Sequence, residues 1–412
     1  MSSTTPTAFG RTEYRRVRRQ LDYGCHSATS IRKPLGMKLL FVDFTLPYLL
    51  RDSEFPVGGW AVQLKEWLLE LSAQGHRVGV LTWKGANAHV GPQSVCELVE
   101  TYDPQAGIKV LRYAYLRIPA LLAAARAWRP DAIVQSTASL DTGIMAFIAG
   151  RLDVPFVHRI ACDSDVDERL KLELKLYQRI AYRYGLRRAD LVVCQNAHQA
   201  ALFGRAHPGT PLHVQPSVLR LPPGMPRPRD ERNYVAWLGV FKPQKNLRLL
   251  YSTAKRRPAV EFRVAGMAPA KVDGDTMRDL ECLRTLSNVR FVGYKRRAEV
   301  ADFLGRATVL LCTSHYEGFS NTFLEAFAAG TPVVTRKGVD PDSAVSNCGL
   351  GLVAEDDGQL ADCVSELHEM SPARFGELAQ RCRQHLETRH APAPVLRTFV
   401  DALRPLMAAR RR

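Results

Sequence analysis

Ser314-His315-Tyr316-Glu317-Gly318-Phe319-Ser320-Asn321-Thr322-Phe323-Leu324-Glu325-Ala326-Phe327-Ala328-Ala329-Gly330-Thr331-Pro332-Val333-Val334 follows the apolar run Val309-Leu310-Leu311. The run reads as a strand, the polar residues as a loop, 321–329 as a helix and 332–335 as a further strand. The loop thus falls at a strand's carboxyl end, where α/β sheets hold their ligands. Amides of Phe319, Ser320, Asn321, Thr322 and Phe323 would be the unpaired donors of the helix's first turn, and its dipole would favour a diphosphate there. Gly318 lets a backbone come close. Glu317, just outside the helix, and Glu325, inside it, could accept hydrogen bonds from sugar hydroxyls on either side of that cradle. A plainer reading competes: Thr322-Phe323-Leu324-Glu325 fits a T-x-x-E capping box, and Glu317 fits a solvated loop acid.

Outward from this segment, short apolar runs alternate with longer amphipathic ones, the pattern of parallel strands joined by helices. Upstream, strands are expected at 38–43, 77–82, 131–135, 154–160 and 190–194. Gly58-Gly59 opens a helix whose Trp60, Leu64, Trp67, Leu68 and Leu71 share one face, ending near Gly75. The segment 168–188 reads as a second long helix. Prolines at 216, 222, 223, 226 and 228 mark a linker, after which the pattern starts afresh with strands at 234–238, 260–264, 289–292 and 308–312 and a helix at 246–254. The expected fold is α/β, with two doubly wound Rossmann-like domains facing each other across a cleft. The domains span 37–222 and 223–390, with a helix and basic tail at 391–412 expected to cross back to the first domain.

Length agrees, since 412 residues exceed what one hydrophobic core usually organises. The formal charge of +16 is spread along the chain, favouring anionic partners without choosing among phosphorylated donors, lipid head groups and nucleic acid. Nine scattered cysteines form no CxxC pair and no zinc-like cluster, which points to reduced thiols and a cytoplasmic protein without a metal site. No apolar run is long enough to span a membrane, so any membrane contact would be peripheral, at the inner face. The basic stretch from Arg169-Leu170-Lys171-Leu172 to Arg187-Arg188 could dock on anionic lipid, against the simpler reading of a solvated helix face. Residues 1–36 hold seven basic and two acidic residues and read as a disordered extension, with Met37 as an alternative start and a targeting or nucleic-acid-binding arm as the sharper alternative. Elsewhere the basic residues match no nucleic-acid module, and no nucleic-acid partner is expected.

The run Glu317 to Val334 resembles the E-x7-E donor motif of the retaining family 4 (group 1) glycosyltransferases of GT-B fold. The resemblance is strong over 230–355 and weaker before it. It implies that Glu317 lies near hydroxyls of the donor sugar, that Glu325 binds the ribose, and that amides around Phe319 to Phe323 hold the phosphates. A second stretch, Trp237-Leu238-Gly239-Val240-Phe241-Lys242-Pro243-Gln244-Lys245-Asn246, is similar to the family's V-G-R-x-x-x-x-K segment, whose basic residues neutralise the leaving diphosphate. Lys245 matches the lysine. Val240 stands where arginine is usual, with Lys242 as the nearest substitute. Gly59 corresponds to the glycine loop that approaches the donor from the other domain.

The family's cleft histidine aligns with Ala161, and His158 falls within the strand as a core residue. Asp163 and Asp165 are candidates to orient the acceptor, against a helix-capping role. The resemblance implies a retaining, metal-independent transferase with a nucleotide diphosphate sugar as donor and no cofactor. A glycan or lipid-linked acceptor, in polysaccharide, lipopolysaccharide or glycoconjugate synthesis, goes with it. Catalytic weight is expected on Glu317 and Lys245, and donor binding on Gly59, Gly239, Lys245, Gly318, Phe319, Ser320, Asn321, Thr322, Phe323 and Glu325. The alternatives are a non-catalytic nucleotide-sugar-binding homologue and a GT-B nucleotide-sugar epimerase. A dinucleotide-dependent dehydrogenase is disfavoured because the first strand runs into Thr45-Leu46-Pro47 rather than G-x-G-x-x-G.

Overall fold

The computed structural model describes residues 36–53, 57–93, 95–109, 111–269 and 271–410. The reading of the basic N-terminal segment as an extension falls on residues outside this set. Seven strands form the first sheet: β1 (Lys38–Val42), β2 (Arg77–Thr82), β3 (Glu97–Glu100), β4 (Ala132–Ser136), β5 (Phe156–Arg159), β6 (Leu191–Cys194) and β7 (Leu212–Val214). Six form the second: β8 (Tyr234–Leu238), β9 (Phe262–Ala265), β10 (Val289–Gly293), β11 (Ala307–Leu311), β12 (Val333–Arg336) and β13 (Gly351–Ala354). The orders are β3-β2-β1-β4-β5-β6-β7 and β10-β9-β8-β11-β12-β13, with parallel pairing throughout. Each sheet is therefore doubly wound, and each reverses its winding beside its first strand, at β1/β4 and at β8/β11. Crevices open at such switch points.

Continuous apolar runs make the central strands because both faces are covered. Leu39 and Phe41 face one core and Leu40 and Val42 the other. Helix Gly59–Ala73 lays Trp60, Leu64, Trp67, Leu68 and Leu71 on the first core and stops before Gly75, whose φ of +87° suits glycine. Trp67 is fully buried, with ring centroids 5.6 Å from Trp60, 6.4 Å from Phe41 and 4.9 Å from Phe399. Burial of such a side chain contributes roughly 2–3 kcal/mol.

Phe399 belongs to the final helix, Pro392–Arg410, which buries Leu396, Phe399, Val400 and Leu403 in the same core as β1. The chain thus passes between domains twice, through the proline-rich segment after β7 and again at His390. The two crossings touch: the Leu219 amide donates to the His390 carbonyl at 3.1 Å, and His390 Nδ1 donates to the Ser217 carbonyl at 2.7 Å.

Two expectations need correction. The segment 168–188 is not one helix but two, Leu170–Glu173 and Leu176–Arg187, because Leu174 is extended (φ −114°, ψ 135°) and packs its side chain inward. Three strands, β3, β7 and β13, were not anticipated; all are edge strands. Among the described residues, no helix is long and apolar enough to cross a membrane.

Candidate active site

The second domain supplies one wall of the cleft from the ends of β8 and β11. After β8 the chain passes Gly239, whose amide donates to the Ala265 carbonyl, and turns through Pro243–Lys245. A Cβ on Gly266 would lie 1.9 Å from the Gly239 carbonyl oxygen, so glycine at 266 is what lets the loops after β8 and β9 meet. Asn246 takes the left-handed conformation (φ 48°) that asparagine tolerates, and its side chain caps the helix Leu247–Arg256 through the Leu249 amide at 3.2 Å. That turn sends Lys245 under the end of β11. Thr313 Oγ1 donates to the Lys245 carbonyl at 2.7 Å, and Trp237 Nε1 donates to Thr313 Oγ1 at 3.0 Å. The Gln244 side chain donates to the Tyr316 carbonyl at 2.8 Å, locking the two loops together.

Lys245 Nζ then reaches Glu317 Oε1 at 2.5 Å, and the same oxygen accepts from Ser314 Oγ at 2.7 Å. The two charged side chains are only 15% and 12% exposed. Burial alone would lower the lysine's pKa, but the adjacent Glu317 carboxylate outweighs it and holds Lys245 above its ordinary value. A full positive charge therefore waits at the bottom of the cleft. Lys242 lies close enough to feel both Lys245 and Glu317, whereas Val240 adds no charge.

Helix Asn321–Ala328 is pinned by buried Phe323, Leu324, Ala326 and Phe327, and no side chain caps its N-terminus. Ser320 and Thr322 instead hydrogen-bond each other at 2.8 Å. The capping box is not formed, because the N-cap is Ser320 and Thr322 lies inside the first turn; Glu325, 7% exposed, is ion-paired with Arg297 instead. The Phe323 amide already donates to the Ser320 carbonyl at 3.0 Å, which leaves the Asn321 and Thr322 amides of the first turn for an anion beside Lys245.

The first domain supplies the facing wall. Gly59 is the first residue of its helix, and its carbonyl accepts from Asn321 Nδ2 at 2.9 Å. Gln63, 3% exposed, donates to Asn321 Oδ1 at 2.8 Å and exchanges two bonds with the Val218 backbone, joining both domains to the first crossing. Gly318 is pressed against Ala161: a Cβ there would lie 2.9 Å from the Ala161 carbonyl oxygen and 2.9 Å from Gln195 Nε2. Asn196 Nδ2 donates to the Gly318 carbonyl at 3.4 Å.

The two aspartates differ. Asp163 is half-buried beside the cleft and accepts from Gln199 Nε2 at 2.9 Å. Asp165 does not point into the cleft. It is 5% exposed, accepts from the Ala161 and Cys162 amides at 2.8 and 3.2 Å, and is pushed up to about 7 by burial. Neither caps the following helix. His158 is fully buried within β5, shares a bond with Gln135 at 2.8 Å, and is driven down to about 3 by burial.

Sequence reasoning missed Arg297, Gln63 and Asn196. Arg297 left one signal: adjacent arginines at 296 and 297 open a helix, where the dipole disfavours cations unless a carboxylate receives them.

Two family profiles meet on this geometry. The glycosyl transferase 4-like domain matches residues 58–240, the first domain through the end of β8, and glycosyl transferases group 1 matches residues 225–386, the second domain. The chain belongs to the group 1 glycosyl transferases. A curated relative of this group 1 glycosyl transferase is the glycogen synthase of Mycobacterium tuberculosis, 25% identical over 387 residues, covering 85% of this chain and 90% of the relative. Sucrose-phosphate synthase from Thermosynechococcus elongatus superposes with a TM-score of 0.71 at 18% identity, over 90% of this chain and 100% of that one. Anabaena HepE in complex with UDP-glucose gives 0.70 at 16% identity, with the same coverage. At these identities the structural likeness is one of fold, and the fold shared by this group 1 glycosyl transferase is GT-B.

Proposed function

We propose that the protein is a retaining glycosyltransferase. It would move a sugar from a nucleotide diphosphate donor to a hydroxyl of a glycan or lipid-linked acceptor in polysaccharide, lipopolysaccharide or glycoconjugate synthesis. The observation that carries this reading is the convergence of the Lys245–Glu317 pair and the uncapped helix Asn321–Ala328 at the β8/β11 switch point, facing Gly59.

The chemistry needs growing negative charge on the departing diphosphate to be met by fixed positive charge, and an acceptor hydroxyl to be held against an oxocarbenium-like sugar. Lys245 and the helix amides serve the first need, with Lys242 at the mouth in place of the missing arginine. Glu317 orients Lys245 and offers its remaining acceptor capacity to sugar hydroxyls. Glu325 takes the ribose. Asp163, on the opposite wall, is the acceptor-side candidate. Retention follows if the acceptor enters on the face the diphosphate leaves, so that a phosphate oxygen takes its proton and no protein nucleophile is needed. The positive charge in this scheme comes from the chain itself, without a metal.

A thermal-shift screen against uridine, guanosine, adenosine and thymidine diphosphate sugars tests the reading, with wild type and Glu325→Ala compared. A donor should raise the melting temperature of the wild type only. Equal shifts in both proteins, or none with any donor, would remove the proposal.

A further inference from the structure

The second helix after β5 carries an apolar face that nothing in the fold covers. Leu176, Ile180 and Tyr184 recur every four residues along it, exposed by 64%, 60% and 37%, with Tyr177 beside them 55% exposed, and Leu172 on the short helix before it is 87% exposed. Single apolar residues on a surface are ordinary, but four along one helix face with a fifth just ahead of them are not. The opposite side of the same helix is already committed: Tyr182, Gly185 and Leu186 are buried against helix Leu140–Leu152. A Cβ on Gly185 would lie 2.6 Å from the Thr142 carbonyl oxygen, so the helix is seated as closely as backbone allows. The stripe is displayed on a rigid support.

Charge identifies the occupant. Leu176–Arg187 contains Arg179, Arg183 and Arg187 and no acidic residue, with Lys175 and Arg188 at its ends. The nearby acids are engaged elsewhere, Glu168 with Lys171 and Glu173 with the Tyr316 hydroxyl. Apolar side chains on a convex helix with arginines along their flanks suit a bilayer surface, where the aliphatic groups enter the acyl boundary and the guanidiniums meet lipid phosphates. A second copy is the poorer fit, since a two-fold contact through this helix would set arginines against arginines.

A further patch lies on the same side. Ile108, Leu111 and Tyr115 are 67%, 59% and 54% exposed, alongside Lys109 and Arg112, in the segment leading into helix Ile118–Trp128. Helices Ile118–Trp128, Leu140–Leu152 and Leu176–Arg187 all cover the sheet face that carries Leu40, Ile133, Phe156 and Val192. Both patches also follow strands at the sheet's carboxyl end, the end that faces the cleft.

We propose that this face of the first domain docks on an anionic lipid bilayer and that the acceptor is presented from that bilayer. The second half rests on the transferase reading; the first does not. The geometry joins them, because Glu173, next to Leu172, accepts from the Tyr316 hydroxyl at 3.0 Å and the Arg169 guanidinium stacks 4.3 Å over the Tyr316 ring, one residue from Glu317. A sugar acceptor rising from the lipid would enter beside the reacting centre.

Co-sedimentation with phosphatidylcholine vesicles, with and without phosphatidylglycerol, tests the docking face on the full chain without any donor. The wild type should pellet with the mixed vesicles only, and added salt should release it. Leu172→Ser/Ile180→Ser and Arg183→Glu/Arg187→Glu/Arg188→Glu should each lower the partition by about tenfold or more at an unchanged melting temperature. No pelleting of the wild type, or equal pelleting of wild type and both variants, overturns the proposal. So does a concentration-dependent dimer in sedimentation velocity that Leu172→Ser/Ile180→Ser abolishes. Vesicle binding without detectable transfer would leave the docking face standing and count against the acceptor assignment alone.

Discussion

Lys245 Nζ and Glu317 Oε1 lie 2.5 Å apart, although their residues are separated by the whole of three strands in sequence and belong to loops following the neighbouring strands β8 and β11. Glu317 fixes the ammonium without discharging it, so a cation is oriented before any substrate arrives. Preorganised charge of this kind needs no rearrangement when negative charge develops.

Lys245→Ala should therefore lower turnover by roughly 10²–10³-fold, a magnitude typical of losing one preorganised donor to a developing anion. It should also cost about 3 kcal/mol of stability by stranding a largely buried carboxylate. Nucleoside diphosphate release and urea unfolding measure the two effects. Glu317→Gln, which keeps an acceptor for Ser314, should lose activity with a smaller loss of stability.

Gly318→Ala tests the approach of the two domains. The added methyl group would meet the Ala161 carbonyl and Gln195 but touches neither domain's core. The melting temperature should change little, while turnover falls about tenfold or more, the scale on which misplacing a reacting group matters. Small-angle scattering should show a larger radius of gyration than in the wild type.

Arg297→Ala leaves Glu325 buried without its counter-charge. If Glu325 receives the ribose, donor KM should rise with little change in kcat, because binding lost equally from ground and transition states appears in KM. A loss confined to kcat, with donor KM unchanged, would contradict the assignment.

His390 lies between the crossings, 3% exposed, and burial drives it down to about 3, with His385 adding to the effect. Its folded pKa is below the unfolded value of 6.5, so its contribution to stability is complete above about 6.5 and is lost as pH falls toward 3. His390→Asn keeps a donor for the Ser217 carbonyl and removes the titration. Between pH 6 and 4 the variant should lose up to about 1.4 kcal/mol less stability per pH unit than the wild type in denaturant titrations.

The legible part of this chain was its interior. Strands buried on both faces announce themselves as unbroken apolar runs, so β1, β4, β6, β8 and β11 were read to within a residue or two. The unread strands lie at sheet edges, where one side meets solvent: Glu97-Leu98-Val99-Glu100 has two acids in four residues, and Leu212–Val214 is only three residues long. Glu317, Glu325 and Lys245 stand out in the sequence because their spacing matches a family pattern, but their partners do not. Pairing of Glu325 with Arg297, or of Gln63 with Asn321, depends on how loops from distant segments are brought together, and no local periodicity records that. Asp165 misled for the same reason: a polar residue after a strand can serve the cleft or its own loop, and two backbone amides settled it.

The final helix has a consequence for how the protein can be divided. With Leu396, Phe399, Val400 and Leu403 completing the first core, that domain is assembled from stretches that precede and follow the second domain in sequence. A fragment ending before residue 390 would expose the apolar groove around Trp67, and Phe399→Ala alone should cost about 3–5 kcal/mol. During synthesis the piece that closes the first domain leaves the ribosome only after the whole of the second domain. The first domain must wait, incompletely covered, until the helix Pro392–Arg410 has emerged, which makes it the expected point of chaperone dependence and the poorest place to cut.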